Sequence, residues 1–185
     1  MIDYRYPYQF WLICLQALPH ICTSHFESVM FRAVLLSTFL GFMRVGEYTA
    51  RSRCSIQSSL LFISGIEFRH RNTIISFKRG KTNQRGPAKT VKLAQSQNVT
   101  LCPVTALCNY IAVRPRISQP LFCHFDGSPL TTYQFNAVLK KILCFCGLEG
   151  CIIGLTPFAL VPQLQLLSWH PANGSLAVGC SFFIH

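Results

Sequence analysis

The sequence predicts an α+β domain, mainly helical, with one small three-stranded antiparallel sheet. Three observations carry that expectation. Apolar residues recur at helical spacing up to Met43 and again from Pro103 onward. Between Leu60 and Leu93 the pattern changes to short β-branched and aromatic runs divided by polar turns. Capping residues stand where the helical stretches begin. A chain of 185 residues can bury one core. The domain is expected over residues 6–150, followed by an irregular tail over 151–185.

Phe10–Leu18 has helical apolar spacing and is expected to stop at Pro19. Ser24 with Glu27 three residues on makes a capping-box pattern and opens a helix from about His25 to Gly41. Arg44 falls in the turn after it, and Val45–Ala50 can begin a short helix. Leu61–Phe68, Thr73–Phe77 and Thr90–Leu93 read as an antiparallel meander. The turn-rich basic segment from Lys78 to Pro87 makes its second hairpin long. Pro103 suits a first helical position, with Ala106–Val113 behind it. Asp126-Gly127-Ser128-Pro129 is a turn. Thr132 can cap a helix from Tyr133 to Cys146, with Gly147 as its left-handed terminator. Past Gly150, Pro157, Pro162 and Pro171 break any helical pattern.

Charge narrows the partner. Lys and Arg outnumber Asp and Glu by 17 to 6, for a net charge of +11. No acidic residue lies between Phe68 and Phe125, while Arg69, Arg71, Lys78, Arg79, Lys81, Arg85, Lys89 and Lys92 crowd one stretch. A polyanion is the natural partner of such a run, and a merely solvated basic face is the alternative. The 10 cysteines form no Cys-x-x-Cys pair, and no histidine stands at zinc-ligand spacing, so no metal is expected. Several of them (Cys14, Cys108, Cys144) sit within apolar helical patterns, which points to reduced, buried thiols in an intracellular protein. Val34–Met43 lies between Arg32 and Arg44 and is far shorter than the roughly 20 residues of a membrane span. No signal peptide or membrane partner is expected.

Arg44 ends that apolar run, with Glu47 one helical turn on. A guanidinium buried there needs an anion. Either it is locked in an ion pair with Glu47, or it is held for an anionic ligand such as phosphate. Gly80-Lys81-Thr82 resembles the end of a phosphate-binding P-loop, but position 75 is Ile where that motif needs glycine. No Gly-x-Ser-x-Gly elbow is present.

The order of these features resembles the catalytic domain of a tyrosine recombinase of the phage-integrase type, in particular the versions carried by eukaryotic mobile elements. The resemblance covers Tyr6 to Gly147. It rests on Leu18-Pro19-His20 through Glu47, on Ile74–Leu93, on Leu101-Cys102-Pro103-Val104-Thr105-Ala106-Leu107, and on Pro120-Leu121-Phe122. It implies DNA recombination and integration. A tyrosine attacks a DNA phosphodiester, two arginines and a histidine stabilise the phosphate, and a hairpin lysine protonates the leaving oxygen. No metal or cofactor takes part. On this reading Arg44 is the first clamping arginine, oriented by Glu47, and Lys81 is the general acid. Arg69, Arg71, Lys78, Arg79, Arg85 and Lys89 become candidate contacts to double-stranded DNA. The protein is expected in the nucleus or cytoplasm; the family's DNA-bound tetramers are not expected to carry over.

The chain departs from that pattern at its end. None of its 6 histidines begins a His-x-x-Arg, and no tyrosine follows Tyr133. As written it lacks the second arginine, the histidine and the nucleophile, so it is expected not to cleave DNA. The codons of Thr156–Gln163, read one base earlier, permit His-Ser-Phe-Arg-Ile-Gly-Ala-Ala. Ser175–Gly179 permits Leu-Leu-Gly-Arg-Trp in the same frame, and Phe183-Ile184 permits Tyr or His five residues after that Trp. These are the missing family residues in order. The expectation is a frame slip between Gly147 and Thr156, whether in a decayed element, a sequence error or a wrong splice model. The helical DNA-clamping domain that precedes the family's catalytic domain is expected to be absent.

Overall fold

The computed structural model describes residues 7–54, 60–77, 89–116 and 120–147. Helix α1 spans Pro7–Ile21, starting earlier than its spacing suggested and running past Pro19. Pro19 lies in the last turn, where one missing N–H is tolerated, and the Cys22 N–H still reaches the Leu18 carbonyl at 2.9 Å. Helix α2, His25–Leu40, begins as expected: the Ser24 hydroxyl accepts the Glu27 N–H at 3.2 Å. The Glu27 carboxylate reaches back to Thr23 at 2.7 Å rather than to Ser24.

Met30, Phe31 and the whole run Ala33–Thr38 are buried, because α2 is packed from several sides. The two hydroxyls in that run bond to the helix itself, Ser37 to the Ala33 carbonyl and Thr38 to the Val34 carbonyl. A short helix α3, Val45–Tyr48, follows the turn at Gly41–Arg44. Leu60 and Leu61 are buried before a 3₁₀ turn at Ile63–Gly65, so the first strand starts later than the run of apolar residues implied.

Strands β1 (Ile66–Arg69), β2 (Asn72–Ser76) and β3 (Thr90–Ala94) form the antiparallel sheet in chain order. Ile66 pairs with Ile75 and Arg69 with Asn72, while Thr73 pairs with Leu93 and Ser76 with Thr90. Thr73, Ile75 and Leu93 are buried on one face of this sheet, as a period of two requires. The connection from β2 to β3, residues 78–88, lies outside the described residues, as does the tail, residues 148–185.

Helix α4, Pro103–Val113, has its proline at the first position; the Cys102 sulfur accepts the Thr105 N–H at 3.5 Å. Tyr110 is fully buried, and its hydroxyl takes the Cys123 N–H at 3.0 Å while facing the Leu121 and Cys123 carbonyls at 3.1 Å. Helix α5, Thr132–Phe145, is capped by Thr131, one residue before the expected cap. Thr131 and Gln134 make the reciprocal pair of bonds, whereas the Thr132 hydroxyl faces the Thr49 hydroxyl at 2.8 Å. Gly147 adopts φ +71°, the left-handed terminator that glycine permits. Helix α2 packs on α4, and α1 packs on both α2 and α5, with the sheet against the end of α2. The fold class is the one the sequence predicts. Of the cysteines expected to be buried, Cys14 is, whereas Cys108 and Cys144 are exposed, because they fall on the outward faces of α4 and α5.

Candidate nucleic-acid interface

The end of α2 sets the position of Arg44. The Gly41 N–H closes on the Ser37 carbonyl at 2.9 Å, and the Met43 N–H returns to the Thr38 carbonyl at 3.0 Å. Between them Phe42 takes φ +49°, a left-handed conformation unusual for a side chain of its size. That turn buries Met43 and leaves Arg44 exposed. The burial expected from the apolar run is therefore corrected: the helix stops one turn short of the arginine, and the chain reverses.

Glu47 does not ion-pair with Arg44 either. One carboxylate oxygen accepts the Arg44 backbone N–H at 2.8 Å, and the other meets the Lys89 ammonium at 2.6 Å. Among the described residues nothing binds the Arg44 guanidinium. Its side chain is a planar, permanently charged fork on a backbone fixed by a carboxylate. Further bonds hold α3 in place. The Leu61 N–H reaches the Glu47 carbonyl at 2.8 Å, and the Thr49 hydroxyl donates to the Val45 carbonyl at 2.7 Å. The Ala50 and Thr132 backbones pair at 2.9 Å, which ties this segment to the start of α5.

Lys89 is brought to this turn from 42 residues away. Its ammonium also lies 5.0 Å from the centre of the Phe77 ring, a cation–π distance. The Phe77 N–H donates to the Lys89 carbonyl at 2.9 Å, closing the root of the β2–β3 connection. Lys78, Arg79, Lys81 and Arg85 belong to that connection and lie outside the described residues. Arg69 and Arg71 stand at the other end of the sheet, roughly 13 Å away at the ordinary rise of a strand. The Arg69 guanidinium is engaged by its neighbour Glu67, at 2.9 and 3.2 Å, with both side chains exposed. Of the candidate contacts among the described residues, then, the fold brings Lys89 to Glu47 on the Arg44 turn and holds Arg69 and Arg71 at the far end of the sheet.

Sequence reasoning passed over two other arginines. Arg114 is buried, with one guanidinium nitrogen on the Pro120 carbonyl at 3.2 Å and its Nε without a partner among the described residues. Arg32 lines a groove of about 740 Å³ between α1, α2 and α4, beside Leu15, His25 and Asn109. Desolvation there lowers the Arg32 pKa from its ordinary value. Neither carried a local signal, because the burial of both depends on which helices pack together. Among the described residues no group of three or more histidines, cysteines or acids could hold a metal. No helix among them is long and apolar enough to cross a membrane.

No protein-family model matches the chain, and no curated protein matches it in sequence. Solved structures do share the fold. The XerH site-specific recombinase bound to its difH substrate, a pre-cleavage complex, superposes with a TM-score of 0.55 at 16% identity, covering 87% of this chain and 45% of that one. The post-cleavage complex of XerH with a palindromic difH substrate superposes with a TM-score of 0.52 at 18% identity, over 76% of this chain and 35% of that one. The chain thus spans less than half the length of the recombinases whose fold it shares.

Proposed function

We propose that the chain is a DNA-binding domain of tyrosine-recombinase type, belonging to the chemistry of strand breakage and rejoining in recombination and integration. As written it does not cleave DNA. The observation that carries this reading is Arg44: an exposed guanidinium, unpartnered among the described residues, on a turn held by Glu47 and set beside the root of the basic β2–β3 connection. Recombinases bound to their DNA substrates share the fold around it.

In this reading Arg44 grips two oxygens of a DNA phosphate with its planar fork. Lys81 is the general acid for the leaving oxygen, and Arg71, Lys78, Arg79 and Arg85 follow the duplex backbone. Arg69 and Lys89 flank this surface with their charges already met by Glu67 and Glu47. The second arginine, the histidine and the nucleophilic tyrosine are missing from the displayed sequence and are encoded in the shifted frame. A non-catalytic DNA-binding remnant is the second reading, favoured by the absence of any tyrosine after Tyr133.

Duplex titration over a range of salt tests the proposal. Wild-type affinity should fall steeply with salt, and Arg44→Ala should lower it about tenfold and flatten the log–log slope by about 0.9 with the melt unchanged. Salt-independent binding, or an Arg44→Ala variant with wild-type affinity and slope, sinks the reading. A suicide DNA substrate should trap no covalent adduct with this chain. The same substrate should trap one once the frame is restored between Gly147 and Thr156. Nucleotides that fail to spell His-Ser-Phe-Arg in that frame remove the shifted-frame clamp and leave the remnant.

A further inference from the structure

Lys89 sits in a basic run, yet its surroundings do not suit a phosphate contact. Glu47, whose side chain is only 19% exposed, places its Oε1 2.6 Å from the ammonium of Lys89, a side chain that is itself 44% exposed. The Phe77 ring covers it from another side, with the ring centre 5.0 Å away. The opposite oxygen of the same carboxylate, Glu47 Oε2, holds the Arg44 N–H at 2.8 Å. Lys89 and Phe77 are themselves joined by a backbone bond of 2.9 Å. One carboxylate therefore links the backbone of the arginine turn to the lysine that starts the return strand, and through it to the strand that leaves.

We propose that Lys89 is a positioning residue: its bridge to Glu47 pins the root of the β2–β3 connection against the turn that carries Arg44, and it makes no phosphate contact. The role of the tie rests on the DNA-binding reading above. The root of the basic connection and the Arg44 turn, far apart in sequence, are then held together before DNA arrives. A lysine already neutralised by a carboxylate displaces no counterion from DNA, whereas each lysine placed on a phosphate adds about 0.9 to the salt slope.

Two measurements test this. Amide exchange without DNA reads the tie directly. In Lys89→Met the Arg44 and Phe77 amides should exchange at least about tenfold faster, Glu47→Gln should do the same, and the double variant should add nothing further. Lys89→Arg should restore the wild-type rates, and amides within α4 should be unchanged throughout. Wild-type exchange at Arg44 and Phe77 in Lys89→Met overturns the tie. Duplex titration then reads its role: Lys89→Met should weaken binding several-fold with the salt slope unchanged, and Lys89→Arg should recover the affinity. A slope lowered by about 0.9 overturns the proposal in favour of a phosphate contact. If the wild-type chain binds no duplex at low salt, the DNA-binding reading fails, and the exchange measurement alone decides the tie.

Discussion

At Gly41 the turn leading to Arg44 leaves no room for a side chain. A methyl group there would stand 2.6 Å from the Ser37 carbonyl oxygen in the last turn of α2 itself and 3.0 Å from Val91 Cγ1 on strand β3. Gly46, two residues past Arg44, has nothing within 4 Å. Gly41→Ala is therefore expected to cost about 1–3 kcal/mol by overpacking. Gly46→Ala, in an open helical position, should be neutral or stabilising by up to ~1 kcal/mol. Denaturant midpoints of the two variants check this; equal effects would mean that the crowding at Gly41 is wrong. The prominence of Arg44, at the end of an apolar run with Glu47 one turn on, was legible in the sequence. Its exposure was not, since a mainly apolar run of ten residues does not reveal where the helix reverses.

Helix α5 shows how far a local signal reaches. The sequence offered Thr132 as its cap. Thr131 is the cap because its hydroxyl accepts the Gln134 N–H at 3.2 Å, while Thr132 is drawn to Thr49, 83 residues away. Thr131→Ala should destabilise the fold by about 1 kcal/mol, and Thr131→Ser should retain most of that stability. A thermal or denaturant titration that places the larger loss at Thr132→Ala would reverse the assignment. The cap at Ser24, Pro103 at a first helical position, the terminator Gly147 and the antiparallel order of the meander were readable, as each depends on residues close in sequence. The late start of β1 was not. The apolar residues at Leu60 and Leu61 look like strand but serve the core, with the Leu61 N–H bonded to Glu47 and not to a neighbouring strand.

The packed helices impose a common pH response. Burial, and then the neighbouring Cys146 thiol, push the Cys14 thiol well above its ordinary value of 9.0. Burial likewise raises Cys22 to about 12, and it raises the phenols of Tyr48 and Tyr110. In the unfolded chain the thiols lose their protons from about pH 9, while the folded chain keeps them. The unfolded state then binds fewer protons, so stability falls as pH rises past about 9. Melting temperatures should be level from pH 7 to 8 and decline through pH 10. Cys14→Ala should lower stability at every pH yet make that decline shallower. A melting temperature that rises between pH 9 and 10 contradicts the burial of these groups.

The linear sequence was enough to set the class of fold, the helix starts at Ser24 and Pro103, the meander, and the prominence of Arg44 and Glu47. Each follows from propensities and contacts within a few residues, where chain connectivity keeps the partners close. Folding in three dimensions settled the rest. It exposed Arg44, gave Glu47 to Lys89, and set Arg69 and Arg71 at the far end of the sheet. The reason is physical: which distant charges meet depends on how helices and strands pack, and packing is set by buried surface shared across the chain rather than by neighbours along it.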